Sequence, residues 1–547
     1  MKNLYFLVIA ALLFPACNNP HKSLKDPEAM IDTADLAGYI KVLSSDEFEG
    51  RAPSSPGEQK TITYLTDQFK KLGLQPGNGD SYLQEVPLVG IAASPDMSLV
   101  VKADNGENSY TYGEQFIAAS PLDKEEVDLN SSDIVFVGYG IVAPEYNRND
   151  YAGLDVKGKT VLMLVNDPGY TTKDSSYFMG NAMTYYGRWT YKYEEAGRQG
   201  AAAAIIIHQT GAAGYPWSVV KNSWSGPQFY QAGRDASVLC PVQGWITEDV
   251  ARQWFSEAGM DMAKVMKEAT APDFKPLPMN MKASLTLHNT VKHSVSHNVM
   301  AAIPGKTNPD ETIIYTAHWD HLGRDTTLKG DQIYNGALDN ASGVAGLLEL
   351  AEAFKAAGQP QRTVLFIAVT GEEQGLLGSA YYADHPVYPI EKTVANINMD
   401  ALDIYGPMKD ITDIGYGKST LDQYLEKAAK AQSRYIRPDQ SPEKGFYYRS
   451  DHFSFAKKGV PSLYTGSGID HESKGEEWTR KQQEKYTAEK YHKPADEYSP
   501  DWDLTGAVKD LKLLYTVGHE LANNTDWPVW NEGVSFKKIR DKSSSER

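Results

Sequence analysis

The chain has 547 residues, 41% of them hydrophobic, and a formal charge of −17 from 71 acidic and 54 basic side chains. That length supplies material for two or three cores, and Lys and Arg nowhere cluster into a phosphate-binding face, so a nucleic-acid partner is excluded. With two cysteines, Cys17 and Cys240, no disulfide framework is expected.

In chain order, residues 1–17 ("MKNLYFLVIAALLFPAC") join one Lys to an apolar stretch too short to span a bilayer, the pattern of an export signal. Residues 18–32 form a polar tether with no hydrophobic period, and a principal domain begins over 33–124. Within it Ile62, Leu65, Phe69 and Leu72 mark one face of an amphipathic helix stopped by Gly73. From 125 to 270 the pattern changes to short β-rich runs, "SDIVFVGYGI", "GKTVLMLV" and "AAAAIIIH", with many Tyr and Trp between 177 and 235, which predicts an inserted domain. Cys240, in the apolar run "ASVLCPV", reads as an inert buried thiol.

The principal domain resumes over 271–525, and a polar tail covers 526–547. "ETIIYTA" (311–317) and "RTVLFIAV" (362–369) are short β-branched runs with little alternation, suited to parallel strands buried on both faces, and "TVANINM" (393–399) and "VPSLY" (460–464) join them. Between the first two, Leu347, Leu350, Ala351 and Phe354 predict a helix over 342–358, capped by Ser342 and stopped by Gly358. The fold class is therefore α/β, a mixed and mostly parallel central sheet flanked by helices, with a β-rich insert. The charged stretch 474–497 reads as a solvated helix or loop that delivers His492.

Five side chains of metal-binding type stand at or just beyond the ends of these runs: His318, Asp339, Glu373, Asp400 and His492. In open parallel sheets ligands bind outside the carboxyl ends of the strands, where His318, Glu373 and Asp400 lie. Two zinc ions about 3.5–4 Å apart need a bridging carboxylate and a further His and carboxylate each, and this set meets that count. Asp320 is placed to accept the second ring proton of His318, and Glu372, beside the ligand Glu373, is the spare carboxylate free to act as a base.

The segments "AHWDH", "LDNASG", "TGEEQGLLGS", "NMD" and "YHKPAD" resemble the five motifs of the co-catalytic zinc exopeptidases, which include bacterial leucyl aminopeptidase, glutamate carboxypeptidase II and the glutaminyl cyclases. The likeness covers roughly 35–120 and 285–525, including the "GR" before the helix of 56–72 and "GLQP" after it. It implies one zinc on His318, one on His492, Asp339 bridging, Glu373 and Asp400 completing the shells, and a cis peptide bond after Asp339. Glu372 would be the general base.

The same resemblance extends to 444–464, where a Tyr hydroxyl polarises the scissile carbonyl; Tyr447 is the first candidate and Tyr448 the second, while His452 and His471 are not needed as ligands. "VFVGYGI", "DYAGLDVKGKTVLML" and "EAGRQGAAAAIII" give the insert the look of a protease-associated domain, acting as a lid, a substrate holder or a spacer. The "FPAC" ending resembles a lipoprotein cleavage site, with Cys17 lipidated and the missing Asp after it favouring the outer membrane; a plain secretory signal is the alternative.

These resemblances imply a zinc aminopeptidase acting on peptides, touching membrane only through its lipid. A carboxypeptidase of the same fold would need a basic pocket, for which Arg449 and Arg324 are donors, and a glutaminyl cyclase would carry one zinc. A non-catalytic receptor-like protein would show eroded ligands, and all five are present.

Overall fold

The computed structural model describes residues 26–545. The export signal, Cys17 and most of the tether lie outside the described residues. Six strands and seven helices position the site: helices α1 (Thr33–Leu43), α2 (Pro56–Lys71), α3 (Ser342–Ala357), α4 (Leu377–Asp384), α5 (His452–Lys457), α6 (Gly475–Glu489) and α7 (Thr505–Asn523). The strands are β1 (Leu83–Ala93), β2 (Leu277–Ile303), β3 (Asn308–His318), β4 (Arg362–Val369), β5 (Thr393–Asn398) and β6 (Ser462–Gly466).

Pairing runs β1–β2–β4–β3–β5–β6, antiparallel for the first two junctions and parallel for the rest. Every residue of β4 and β5 is buried, as unalternated apolar strands covered on both faces should be. One face carries Ile313, Tyr315, Val364 and Phe366 against Leu36 and Ile40 of α1, Leu347 and Leu350 of α3, and Leu511 and Leu514 of α7. The opposite face sets Ile314, Leu365 and Ile367 against Tyr382 of α4 and Phe455 of α5. This is the mixed, mostly parallel sheet that the sequence predicts.

The start of α3 differs from expectation. Ser342 does not cap it, because its hydroxyl donates to the Leu338 carbonyl (2.7 Å); Asn340 does, its Oδ1 accepting from Gly343 N (2.9 Å). α2 is as expected, with Ser55 accepting from Glu58 N, Ile62, Leu65 and Phe69 buried, and Gly73 at positive φ beyond its end.

A second sheet lies between β1 and the middle of β2. Its strands run 106–111, 98–103, the first half of β2, 126–136, 160–164, 203–208, 242–247 and 116–119, with parallel pairs in the middle. It has its own core, around Phe136, Ile205, Trp254 and Phe255. It is wider than the stretch 125–270, because the hairpin of 98–111 pairs with it and β2 runs through both sheets. Cys240 is buried without a disulfide, and burial pushes its thiol up to about 12. Among the described residues no helix is long and apolar enough to cross a membrane.

Candidate metal centre

The parallel strands deliver their last residues to one edge of the sheet. His318 ends β3, Glu372 and Glu373 follow β4, Asp400 follows β5, and Asp339 sits in the turn before α3. His318 Nε2 lies 3.4 Å from Asp339 Oδ1 and 3.5 Å from Asp400 Oδ1. His492, just past α6, brings its Nε2 to 3.3 Å from Asp339 Oδ2 and 3.1 Å from Glu373 Oε2. The five ligand candidates therefore converge, with one oxygen of Asp339 toward each imidazole. Glu372, with His318 and Asp400, offers atoms all within 4.8 Å of one another.

A sixth group went unread in the sequence: His321, whose Nδ1 is 2.6 Å from Glu373 Oε1, forms with Asp339 and Glu373 a second set within 4.8 Å. Its other ring nitrogen is buried with no hydrogen-bond partner. The three-residue step from His318 in "AHWDH" is its only trace in the sequence.

The support around these groups is dense. Asp496 accepts from the backbone N–H groups of Leu338 (3.2 Å) and Asp339 (3.1 Å) and from the Tyr486 hydroxyl (3.0 Å), which fixes the Asp339 turn. The peptide bond between Asp339 and Asn340 is cis. Asn340 donates to Met399 O (3.0 Å) and accepts from Ala401 N (3.1 Å), tying the two aspartate turns together. Ser450 donates to Asp400 Oδ2 (2.7 Å) and accepts from Asn398 Nδ2 (2.8 Å). Arg51, of the "GR" pair, is buried and donates to the carbonyls of Leu43, Trp319, Asn335 and Gly336. Such a fork locks two site loops to the α1 end.

Asp320 differs from its predicted part. His318 Nδ1 is 3.1 Å from the Asp320 main-chain carbonyl, while the carboxylate stands 3.8 Å away. That carboxylate accepts instead from the backbone N–H groups of Glu372 (3.1 Å) and Glu373 (3.4 Å), so it holds the Glu-Glu turn. Tyr447 and Tyr448 also differ. The turn 446–448 directs Tyr447 beneath Lys418 (4.8 Å from the ring centroid), its hydroxyl in the field of Asp413 and Asp422, and packs Tyr448 on Phe453. The tyrosine whose hydroxyl feels Asp400, Glu372 and Asp339 is Tyr464 of β6, level with Asn398 of β5 and packed on His452 (4.8 Å between centroids). Arg324 turns to Gln332 (3.1 Å).

Electrostatically the centre is a buried cluster of carboxylates in need of cations. Burial alone would lower His318 and His492, yet Glu372, Asp339 and Asp400 around the first, and Glu373 and Asp339 around the second, outweigh it and hold both well above the usual histidine value. Burial pushes Glu372 well above the usual carboxylate range, with Asp400 and Glu373 adding to it and His318 opposing. Metal ions held by the neutral imidazoles would supply the positive charge that these carboxylates favour. Two imidazoles, a shared carboxylate and one more carboxylate on each side suit a pair of zinc ions.

A family profile described as Peptidase family M28 matches residues 298–516. This segment belongs to peptidase family M28. The M28 segment contains every side chain of the centre, and the second sheet precedes it. The chain is similar to a mouse protein named aminopeptidase NAALADL1, 32% identical over 138 residues, 24% of this chain and 17% of that protein. It is also similar to a probable zinc metalloprotease of Pyricularia oryzae, 43% identical over 86 residues, 16% of this chain and 17% of that protein. The aligned part thus spans about a sixth of the length of either relative. Among solved structures, an aminopeptidase from Aneurinibacillus sp. strain AM-1 aligns with a TM-score of 0.51 at 22% identity, over 92% of this chain and 97% of that one, which shows the fold.

Proposed function

We propose that this protein is a zinc-dependent exopeptidase, an aminopeptidase that uses two ions. The observation that carries the reading is Asp339, with one oxygen 3.4 Å from His318 Nε2 and the other 3.3 Å from His492 Nε2, and with Asp400 and Glu373 as the second carboxylates. One carboxylate aimed at two imidazoles suits a bridge between ions. The names of the relatives, an aminopeptidase and a zinc metalloprotease, point the same way. Two ions held there supply Lewis-acid polarisation of the scissile carbonyl and make a water acidic enough to react at neutral pH.

The chain's own residues do the rest. Glu372 takes the proton of the attacking water on its carboxylate and delivers it to the departing amine nitrogen; its raised affinity for a proton suits holding it between the two steps. The Tyr464 hydroxyl donates to the carbonyl oxygen as negative charge grows on it. Asp320, through the Glu372 and Glu373 amides, and Ser450, through Asp400, keep the carboxylates oriented. The inserted unit, which we assign as a protease-associated domain, packs on the turn leading to Ser450, where Met183 N donates to Pro442 O (3.0 Å).

Turnover of aminoacyl anilides beside N-blocked anilides and C-terminal substrates, with and without chelator, tests the reading. Free N-termini are expected to be cleaved, blocked ones spared, and chelator to abolish the rate until zinc is returned. Preference for blocked peptides cut at the C-terminus would make it a carboxypeptidase, and one ion per chain with cyclisation of N-terminal Gln would make it a glutaminyl cyclase. Tyr464→Phe is expected to lower kcat by about 10² with KM nearly unchanged. Full kcat in that variant, with a large loss in Tyr447→Phe, would restore Tyr447 to the role.

Export and lipid anchoring at Cys17 to the outer membrane belong to the same proposal and rest on "FPAC" and the polar tether after it. Labelled palmitate is expected in the wild type and absent from Cys17→Ser; equal labelling of both would refute the anchor.

A further inference from the structure

Asp400 and Glu373, the two carboxylates that do not bridge, each turn one oxygen toward an imidazole and fasten the other elsewhere. Asp400 sends Oδ1 to His318 Nε2 (3.5 Å), while its Oδ2 accepts from the Ser450 hydroxyl (2.7 Å). Glu373 repeats the pattern: Oε2 lies 3.1 Å from His492 Nε2, and Oε1 meets His321 Nδ1 at 2.6 Å. His321 thus holds in the second half of the centre the place that Ser450 holds in the first.

Distance separates this contact from coordination. Two ligand atoms bound at roughly 2.0–2.1 Å to one tetrahedral zinc stand about 3.3 Å apart. The carboxylate contacts of His318 and His492, at 3.4, 3.5, 3.3 and 3.1 Å, suit that spacing. At 2.6 Å, His321 and Glu373 are too close to share an ion, and the contact is a short, charge-assisted hydrogen bond. An ionised carboxylate only accepts, so Nδ1 carries the hydrogen.

The ring is built into place. His321 is fully buried, its backbone N–H donates to Arg51 O (3.3 Å), and a side-chain carbon on Gly336 would come within 2.5 Å of its Cδ2, so only glycine leaves room for the imidazole. Nε2 is buried with no hydrogen-bond partner, which makes the Glu373 bond the ring's one polar tie among the described residues. From the same short segment the Asp320 carboxylate accepts from the Glu373 amide (3.4 Å). Glu373 is therefore gripped at both its main chain and its carboxylate. The second half has the greater need of such a grip, because the His492 side chain is 36% exposed, against 1% for His318, and arrives on the loop after α6. Ordering an exposed loop histidine on an ion costs entropy, so affinity there leans on a carboxylate already held in position.

We infer that His321 is a positioning residue of the metal centre: its Nδ1–H fastens Glu373 Oε1, leaves Oε2 alone to the ion beside His492, and sets how tightly that ion is kept. The inference rests on the two-ion reading above for the presence of the ion and on the hydrogen-bond geometry for the role.

Zinc affinity, measured by competition with a fluorescent chelator on the wild type, His321→Ala and His321→Asn, tests the role without recourse to turnover. The Asn amide nitrogen branches from Cγ as Nδ1 does, so it can donate to the same oxygen. The wild type is expected to bind two ions. In His321→Ala one dissociation constant is expected to rise by about 10–100-fold while the other stays within about threefold, and His321→Asn recovers most of the loss. Unchanged constants in His321→Ala, equal losses at both ions, or a loss that Asn does not recover overturn the fastening while the two-ion reading stands. Fewer than two ions on the wild type refutes that reading instead, and the fastening then survives only if the remaining constant follows the same order across the three proteins. Crystals of the zinc-loaded wild type decide the matter if neither variant folds. There His321 Nδ1 is expected on Glu373 Oε1 and away from both ions, and a bond of about 2.1 Å from His321 to zinc would make it a ligand and overturn the role.

Discussion

Glu372→Gln is expected to lower kcat by about 10³-fold, equivalent to about 4 kcal/mol in the barrier, while zinc content and KM stay near wild-type values. The amide keeps the size and hydrogen-bonding shape of the side chain but cannot take a proton from water or return one to the amine. Metal retention follows from the geometry, because the two oxygens of Asp339, with Asp400 and Glu373, already face both imidazoles. Stability moves the other way from activity. A carboxyl whose folded pKa is raised above the usual 4.5 favours folding only below that pH and opposes it as pH climbs through the folded value. With zinc removed from both, the variant therefore melts no lower than the wild type at neutral pH. Loss of metal, or a rate within a few fold of wild type, would remove Glu372 from the role of base.

Asp339→Ala is expected to lose both ions and all measurable turnover. Among the described residues Asp339 is the carboxylate paired with both His318 and His492, so both halves lose a donor at once, leaving Asp400 and Glu372 near His318 and Glu373 near His492. The metal-free protein also changes. Burial alone would raise Asp339, yet His318 and His492 outweigh it and hold the carboxyl well below the usual 3.8. A carboxyl depressed in this way contributes stability above its unfolded pKa and loses it as pH falls through the folded value. The chelated variant is therefore expected to melt below the chelated wild type at pH 7, with the gap closing in acid. Metal analysis showing two zinc ions bound to Asp339→Ala would refute the bridging position.

The parts legible in the sequence are those that periodicity and strand ends encode. Runs such as "RTVLFIAV" mark strands buried on both faces, and the polar residues after them are placed at one edge of the sheet by topology alone. His492 was legible only through resemblance, since it arrives from the loop after a solvated helix with no pattern of its own. What could not be read depends on backbone direction. Asp320 offers His318 its carbonyl instead of its carboxylate, Asn340 takes the cap from Ser342, and the turn 446–448 rotates Tyr447 toward Asp413 and away from Asp400, where Tyr464 stands. The extent of the second sheet is illegible in the sequence for a related reason. An alternating hairpin such as 98–111 looks the same whichever sheet it joins, and β2 belongs to both.

The function proposed for this protein depends on the five ligands enclosing a pair of ions. Anomalous diffraction at the zinc edge, from crystals of the protein grown with zinc, tests it most directly. Two peaks are expected to flank the Asp339 carboxylate, one beside His318 with Asp400 and one beside His492 with Glu373. A single peak, or peaks away from Asp339, would contradict it.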